Sequence, residues 1–165
     1  MCIPREVEEL LRREAYERGI DLELLLIDKL AKDLDPAIKV SLYLNKAEEL
    51  FKEALDYLNR GDLIQASEKA WGACASVVKA YAEGRGMEHY RHRQLEEAMS
   101  RLISERGGDK ELISGWGTCL RLHSNFYEGF MTRQDLEASL ELVRGFLNRM
   151  RSEVQNSKPG GNSIT

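Results

Sequence analysis

Apolar residues recur in alternating steps of four and three over most of this 165-residue chain. The most regular series lies near the end of the chain and consists of Leu136, Leu140, Val143, Leu147, Met150 and Val154. This spacing puts side chains on one face of an α-helix, whereas a half-buried strand needs apolar and polar residues in strict alternation. The chain is therefore predicted to be all-α.

Turn-forming residues divide the apolar series into seven helices. Glycine favours the left-handed conformation that ends a helix, and Asp or Thr caps the next one. Asp35-Pro36 shows the same signal, because proline fits the first turn of a helix. In approximate numbers, the predicted helices span residues 5–18, 22–34, 36–60, 63–83, 93–106, 110–127 and 133–154.

The break Gly61-Asp62 is so short that the two long helices beside it are expected to be antiparallel neighbours. We therefore predict an antiparallel bundle of four to five long helices over residues 35–154. A helical arm, residues 1–34, precedes this bundle. Residues 155–165 contain Gly, Ser, Asn and Pro without an apolar period, and are predicted to form a flexible tail.

The charge balance is mildly acidic, with 24 Lys and Arg against 28 Asp and Glu. A general nucleic-acid footprint is therefore absent, and any basic site must be local. Apolar runs stop far short of the ~20 residues that span a bilayer, and no basic-then-apolar leader opens the chain. We expect a cytoplasmic protein without a membrane partner. Abundant Glu, Lys and Arg with few Asn and Gln is typical of thermophiles.

Three cysteines, Cys2, Cys74 and Cys119, are widely spaced and contain no Cys-x-x-Cys pair. A zinc site is therefore not expected, and neither a metal nor another cofactor is predicted. Cys74 and Cys119 lie on apolar helical faces and are interpreted as small core residues, in a chain long enough to need no disulfide. Trp71 and Trp116 are interpreted as core anchors.

The first candidate site is a basic loop, residues 84–93. It gathers five cationic or imidazole side chains, namely Arg85, His89, Arg91, His92 and Arg93. Guanidinium groups, imidazoles and the free N–H groups of a following helix are suited to a phosphate or a carboxylate. The alternative interpretation is that these side chains are solvated and that His92 caps the helix.

The second candidate site is a polar cluster at the end of the sixth helix. It comprises Arg121, His123, Asn125, Tyr127 and Glu128. His123 and Tyr127 are four residues apart and therefore share a helical face. Such a group is suited to acid–base chemistry or to reading a base edge. The alternative interpretation is a hydrogen-bonded His and Tyr that fix the packing of helices.

The N-terminal helix pair, joined by Gly19-Ile20-Asp21, looks like the two helices of a ribbon-helix-helix regulator. Only residues 1–4 precede the first helix, too few for the strand that would enter a groove of DNA. We therefore favour a packing or dimerisation arm over DNA recognition.

Three sequence runs carry a resemblance to a known family. They are DLIQASEKAWGA at residues 62–73, VKAYA at 78–82 and LHSNFYEG at 122–129. Together they resemble the archaeal PaREP family, which looks like a branch of the HEPN superfamily of helical, usually dimeric, nucleotide-associated domains. The resemblance implies an antiparallel helical bundle, an archaeal cytoplasmic setting and a homodimer.

Active HEPN ribonucleases pair an Arg with a His four to six residues later and use no metal. In this sequence Tyr127 stands where the resemblance places that His, with Arg121 before it and His123 between them. A phenol, with a pKa of ~10, is a poor general base near neutrality. Arg85 and His92, with six residues between them, come close to that spacing, but in the loop.

The sequence therefore favours a non-catalytic dimer that binds a nucleotide, RNA or a partner protein. The first alternative is a metal-independent endoribonuclease that uses Arg121 with His123, or Arg85 with His92. The second alternative is a DNA-binding regulator that acts through the N-terminal helices.

Overall fold

The computed structural model describes residues 3–157, which form seven α-helices and no strand. The helices are α1 (Arg5–Arg18), α2 (Leu22–Leu30), α3 (Pro36–Asn59), α4 (Leu63–Gly84), α5 (His92–Glu105), α6 (Lys110–Glu128) and α7 (Arg133–Asn156). A 3-10 turn, Ala31–Asp33, follows α2. The all-α prediction is confirmed. The predicted tail lies outside the described residues from 158 onward.

Side-chain caps begin most of the helices. The side chains of Asp21, Asp35, Asp62, Asp109 and Thr132 each accept a backbone N–H from the first turn of the helix that follows, at 2.8–3.2 Å. Each cap satisfies a donor that has no partner within its helix. These local bonds explain why the helix starts follow so closely from the sequence.

Helix α4 lies at the centre of the fold and packs against α3, α5, α6 and α7. The side chains on its buried face are unusually small. Six of them are fully buried alanines: Ala66, Ala70, Ala73, Ala75, Ala80 and Ala82. Small side chains let neighbouring helices approach closely. Helices α6 and α7 also approach closely at a small residue, Gly115, where a Cβ atom would lie 2.7 Å from the Phe146 ring. Trp71 and Trp116 are both buried, as predicted.

The N-terminal arm packs on this assembly through α2, which contacts α3. Leu24 and Leu25 of α2 are fully buried. Helix α1 is much more exposed and buries only Ala15. No helix within residues 3–157 is long and apolar enough to cross a membrane.

Candidate functional site

The two candidate regions of the sequence meet at one point, the stacked rings of His92 and His123. Their ring centroids are 5.6 Å apart and their planes differ by 24°. The Trp71 indole stacks on His123 with centroids 4.4 Å apart and lies 5.6 Å from His92. The structure therefore joins the start of α5 to the end of α6 across α4. We call these three residues the aromatic triplet.

The turn between α1 and α2 covers the aromatic triplet. Gly19 has a positive φ of 61°, and its carbonyl oxygen accepts a hydrogen bond of 2.6 Å from the indole N–H of Trp71. A Cβ atom on Gly19 would lie 2.5 Å from Cε1 of His123. Only glycine fits here, because the backbone conformation and the close approach both exclude a side chain. The arm is thus part of the site.

His123 is held in its neutral form. Burial, with a smaller contribution from the nearby His92, lowers its pKa to about 4. Its Nδ1 is buried and has no hydrogen-bond partner among the described residues. A neutral imidazole accepts a hydrogen bond and carries no charge with which to hold an anion.

His92 is more open to solvent, with 44% of its side chain exposed. Its Nε2 lies 3.5 Å from a carboxylate oxygen of Glu96, which also accepts a 2.7 Å hydrogen bond from the indole N–H of Trp116. Glu96 therefore connects His92 to the buried core.

Most of the basic loop is committed to intramolecular contacts. Arg85 forms two hydrogen bonds, of 2.7 and 3.0 Å, with Glu105, and Arg93 pairs with Glu97 at 2.8 Å. His89 is buried, its Nε2 lies 2.5 Å from Glu83, and burial lowers its pKa. These contacts leave two of the five predicted anion-binding residues, Arg91 and His92, on the wall of a cleft.

The polar cluster at the end of α6 is also divided by the structure. Arg121 forms a bidentate pair with Asp135, with both distances 2.6 Å, on a different side of α6 from His123. Asn125 is buried, donates to Ser67 at 2.7 Å and accepts the backbone N–H groups of residues 130 and 131 at 2.8 Å. Asn125 therefore fixes the turn after α6.

Tyr127 alone of the cluster stays beside His123, with ring centroids 5.2 Å apart in an edge-on arrangement. It also meets Tyr16 of α1 edge-on, at 6.0 Å. Glu128 is exposed. Tyr127 therefore contacts the arm through Tyr16 and the bundle through His123. Arg121 and His123 do not lie together.

A cleft of about 690 Å³ opens between the arm and the basic loop, and we call it the arm–loop cleft. Its wall carries four cations, Arg18, Lys29, Lys32 and Arg91, three carboxylates, Glu17, Asp28 and Glu88, and the rings of Tyr90 and His92. The lining is therefore net positive, in a chain with a net charge of −4.

A buried ion pair closes the inner wall of the arm–loop cleft. Nζ of Lys79 lies 2.7 Å from Asp28, and the two side chains are 1% and 2% exposed. Asp28 also accepts a 2.7 Å hydrogen bond from the hydroxyl of Tyr43, and the Lys79 ammonium donates to the carbonyl oxygen of His89 at 2.5 Å. The network joins α2, α3, α4 and the basic loop, so it fixes both walls of the cleft.

Cys74 and Cys119 form a disulfide between α4 and α6, with their Cα atoms 6.1 Å apart. Both residues are fully buried, as predicted for core residues, but the disulfide between them was not expected. Cys74 lies three residues after Trp71, and Cys119 lies four residues before His123. The disulfide therefore links the two helices next to the Trp71–His123 stack.

Residues 3–157 contain no group of three or more His, Cys, Asp or Glu side chains placed to hold a metal ion.

Comparison with known proteins gives a family and no characterised relative. The model of the family described as the Archaeal PaREP1/PaREP8 family matches residues 42–147, which is more than half of the chain. The matched residues include the whole of α4, α5 and α6 and exclude α1 and α2. No curated protein and no solved structure matches the chain.

Proposed function

This chain belongs to the archaeal PaREP1/PaREP8 family, and from the geometry of its site we propose that it is a non-catalytic binding protein for a nucleotide or a short stretch of RNA. The ligand lies in the arm–loop cleft, with its phosphates toward Lys32 and Arg91. One observation carries the proposal: the cleft combines cations that have no ion-pair partner within residues 3–157 with the half-buried ring of Tyr90 and the exposed ring of His92.

The cations of the cleft fall into two classes. Arg18 and Lys29 both pair with Glu14, at 2.5 and 2.8 Å. Lys32 and Arg91 have no ion-pair partner among residues 3–157. A cation without a carboxylate partner gains the most from an incoming phosphate, and a guanidinium matches phosphate geometry with two parallel hydrogen bonds.

The remaining wall suits the rest of a nucleotide. Tyr90 and His92 present planar rings, and bases stack on such rings in a sequence-tolerant way. His92 also begins α5, so the positive end of that helix dipole lies at the rim of the cleft. A volume of about 690 Å³ is within the usual range for small-molecule sites, about 300–1,000 Å³.

Titration calorimetry with mononucleotides and a short single-stranded RNA at low salt tests the proposal. We expect saturable binding that weakens as salt is added, because phosphate contacts release counterions. Arg91→Ala and Lys32→Ala should each weaken binding about tenfold. Arg93→Ala is the matched control, since Arg93 is two residues from Arg91 but pairs with Glu97 outside the cleft. No saturation, or equal losses in all three variants, would refute the proposal.

The side-by-side imidazoles of His92 and His123 favour a second candidate function, metal-independent cleavage of RNA. Histidine is the side chain that most often transfers protons in catalysis, and the more exposed His92 lies beside the neutral imidazole of His123. Pure protein in EDTA should then cleave RNA, and both His92→Ala and His123→Ala should abolish cleavage, while Tyr127→Phe retains it. RNA left intact by the wild-type protein removes this candidate and leaves the binding proposal standing.

The homodimer implied by the family resemblance is also part of the proposal. Exposed apolar side chains suited to a contact between copies lie along one stripe at the start of the arm, at Ile3, Val7 and Leu10, which are 45%, 43% and 55% exposed. Light scattering after size exclusion should give twice the chain mass, and Val7→Glu with Leu10→Glu should give a monomer. A monomeric wild-type protein contradicts the dimer but does not affect the ligand proposal.

A further inference from the structure

A second, smaller cavity lies beyond Gly19, on the side of the arm away from the arm–loop cleft. Its volume is about 280 Å³. Tyr16 from α1, Trp71 from α4 and Phe126 from α6 supply rings to its wall, and Glu68 of α4 supplies a carboxylate. We call it the α1–α4 cavity. No residue lines both cavities: Gly19 lines this one, and the preceding Arg18 lines the arm–loop cleft.

The charged groups of the α1–α4 cavity differ in whether they have partners. Lys69 pairs with Asp21 at 2.9 Å and with Glu53 at 3.1 Å, and Arg12 pairs with Glu8 at 2.7 Å. Glu68 has no ion-pair partner among residues 3–157. The cavity is therefore lined by two cations that each have a carboxylate partner, by Asp21, which pairs with Lys69, and by Glu68, which forms no ion pair within residues 3–157.

The Glu68 carboxylate is half-buried, and burial raises its pKa, although the nearby charge of Lys69 opposes that shift. A half-buried carboxylate attracts a cationic ligand more strongly than a fully solvated carboxylate does, because its surroundings screen the attraction less. The adjacent rings of Tyr16 and Phe126 add attraction for a cation and apolar surface for its carbon atoms.

We propose that the α1–α4 cavity binds a small organic cation, a primary ammonium or guanidinium compound, through an ion pair to Glu68 and contacts with Tyr16 and Phe126. The volume is suited to a short amine and excludes a nucleotide. A hydrated metal ion is disfavoured, since a single free carboxylate among aromatic rings is a poor ligand set for it. The chain then has an anion site, the arm–loop cleft, and a cation site, the α1–α4 cavity, on the two sides of the turn at Gly19.

Titration with 1,4-diaminobutane and with agmatine, followed by calorimetry and by Trp71 fluorescence in a Trp116→Phe background, tests the proposal. We expect saturable binding of both amines and none of 1,4-butanediol, which has a similar shape without charge. Glu68→Gln keeps the shape of the side chain and should weaken binding at least tenfold. Glu53→Gln is the matched control, because Glu53 is a nearby carboxylate that pairs with Lys69 but does not line the cavity.

A short peptide with one central lysine distinguishes a free amine from the side chain of a partner protein. Stronger binding of the free amines supports a small-molecule site, and stronger binding of the peptide overturns that part of the proposal. Absence of saturation, equal binding of 1,4-butanediol, or an unchanged affinity in Glu68→Gln overturns the site itself. These outcomes are independent of nucleotide binding, since Glu68 does not line the arm–loop cleft.

Discussion

The indole of Trp71 stacks on the imidazole of His123 at a centroid distance of 4.4 Å, while the Trp71 N–H is bonded to the carbonyl oxygen of Gly19. One side chain of α4 thus contacts the end of α6 and the turn of the arm at once. The position of the arm and the state of His123 are therefore physically connected, and two variants test that connection.

Gly19→Ala should destabilise the protein by about 2–4 kcal/mol. Part of the loss is the left-handed backbone, which costs a non-glycine residue about 1 kcal/mol, and the rest is the clash of the new Cβ with His123. Gly61→Ala is the matched control, because Gly61 has φ 79° and nothing within 4 Å of the Cβ position. Urea unfolding measures both. Equal losses of unfolding free energy in the two variants would show that a side chain at position 19 does not clash with His123.

The stability contributed by His123 should fall as the pH is lowered from about 6.5 toward 4. The pKa of this group is lowered from 6.5 to about 4 in the folded protein, so below pH 6.5 the unfolded chain binds a proton that the folded chain does not. Because the ring is partly accessible to solvent, we expect about 1–2 kcal/mol and not the full value of the shift.

Urea unfolding between pH 4 and 8 for the wild-type protein and for His123→Phe measures this contribution. Phenylalanine keeps the stack on Trp71 and does not titrate. Burial also lowers the pKa of His89. His89 therefore causes a loss of stability at low pH in both proteins, and this loss cancels when the two curves are subtracted. A difference between the two curves that is constant across this pH range would contradict the lowered pKa.

Helix existence and helix ends could be predicted from the sequence, because they depend on local chemistry. Asp62, for example, caps α4 by a bond to residue 65, three positions along the chain. The spacing of Leu136, Leu140 and Val143 likewise places all three in the core without knowledge of their neighbours.

The site could be predicted only in part, because its contacts join distant segments. His92 and His123 were each singled out by type, but their stacking depends on how α5 and α6 pack on α4. The same holds for the closeness of Gly19 to His123. One usable signal was missed: Asp28 falls on the same α2 face as Leu24 and Leu25, and a carboxylate on an apolar face requires a buried partner.

Breaking the disulfide should lower the stability by about 2–4 kcal/mol without unfolding the protein at room temperature. Cys74 and Cys119 are 45 residues apart in sequence, so the bond restricts a long loop of the unfolded chain. Urea unfolding with and without reductant measures the loss.

The double variant Cys74→Ala with Cys119→Ala supplies the control, since its stability should not respond to reductant. Alkylation of the denatured, unreduced wild-type protein should leave both positions unlabelled. Labelling at Cys74 or Cys119 would show that the bond is absent in solution.

Asp28→Asn should be the most damaging of the single substitutions, with a loss of about 3–5 kcal/mol. It leaves the Lys79 ammonium buried without a counter-charge, and burial already lowers the pKa of that group. Asp28→Leu combined with Lys79→Met removes both charges and should lose less, because no uncompensated charge remains. Urea unfolding of Asp28→Leu, of Lys79→Met and of the double variant that combines them forms a cycle that isolates the pair. If the double variant loses the sum of the two single losses, the side chains do not interact, and the pair does not connect the arm to the inner wall of the cleft.

If the predicted coupling is present, nucleotide titration of Asp28→Asn should also show weaker binding, because Asp28 fixes one wall of the arm–loop cleft against the other.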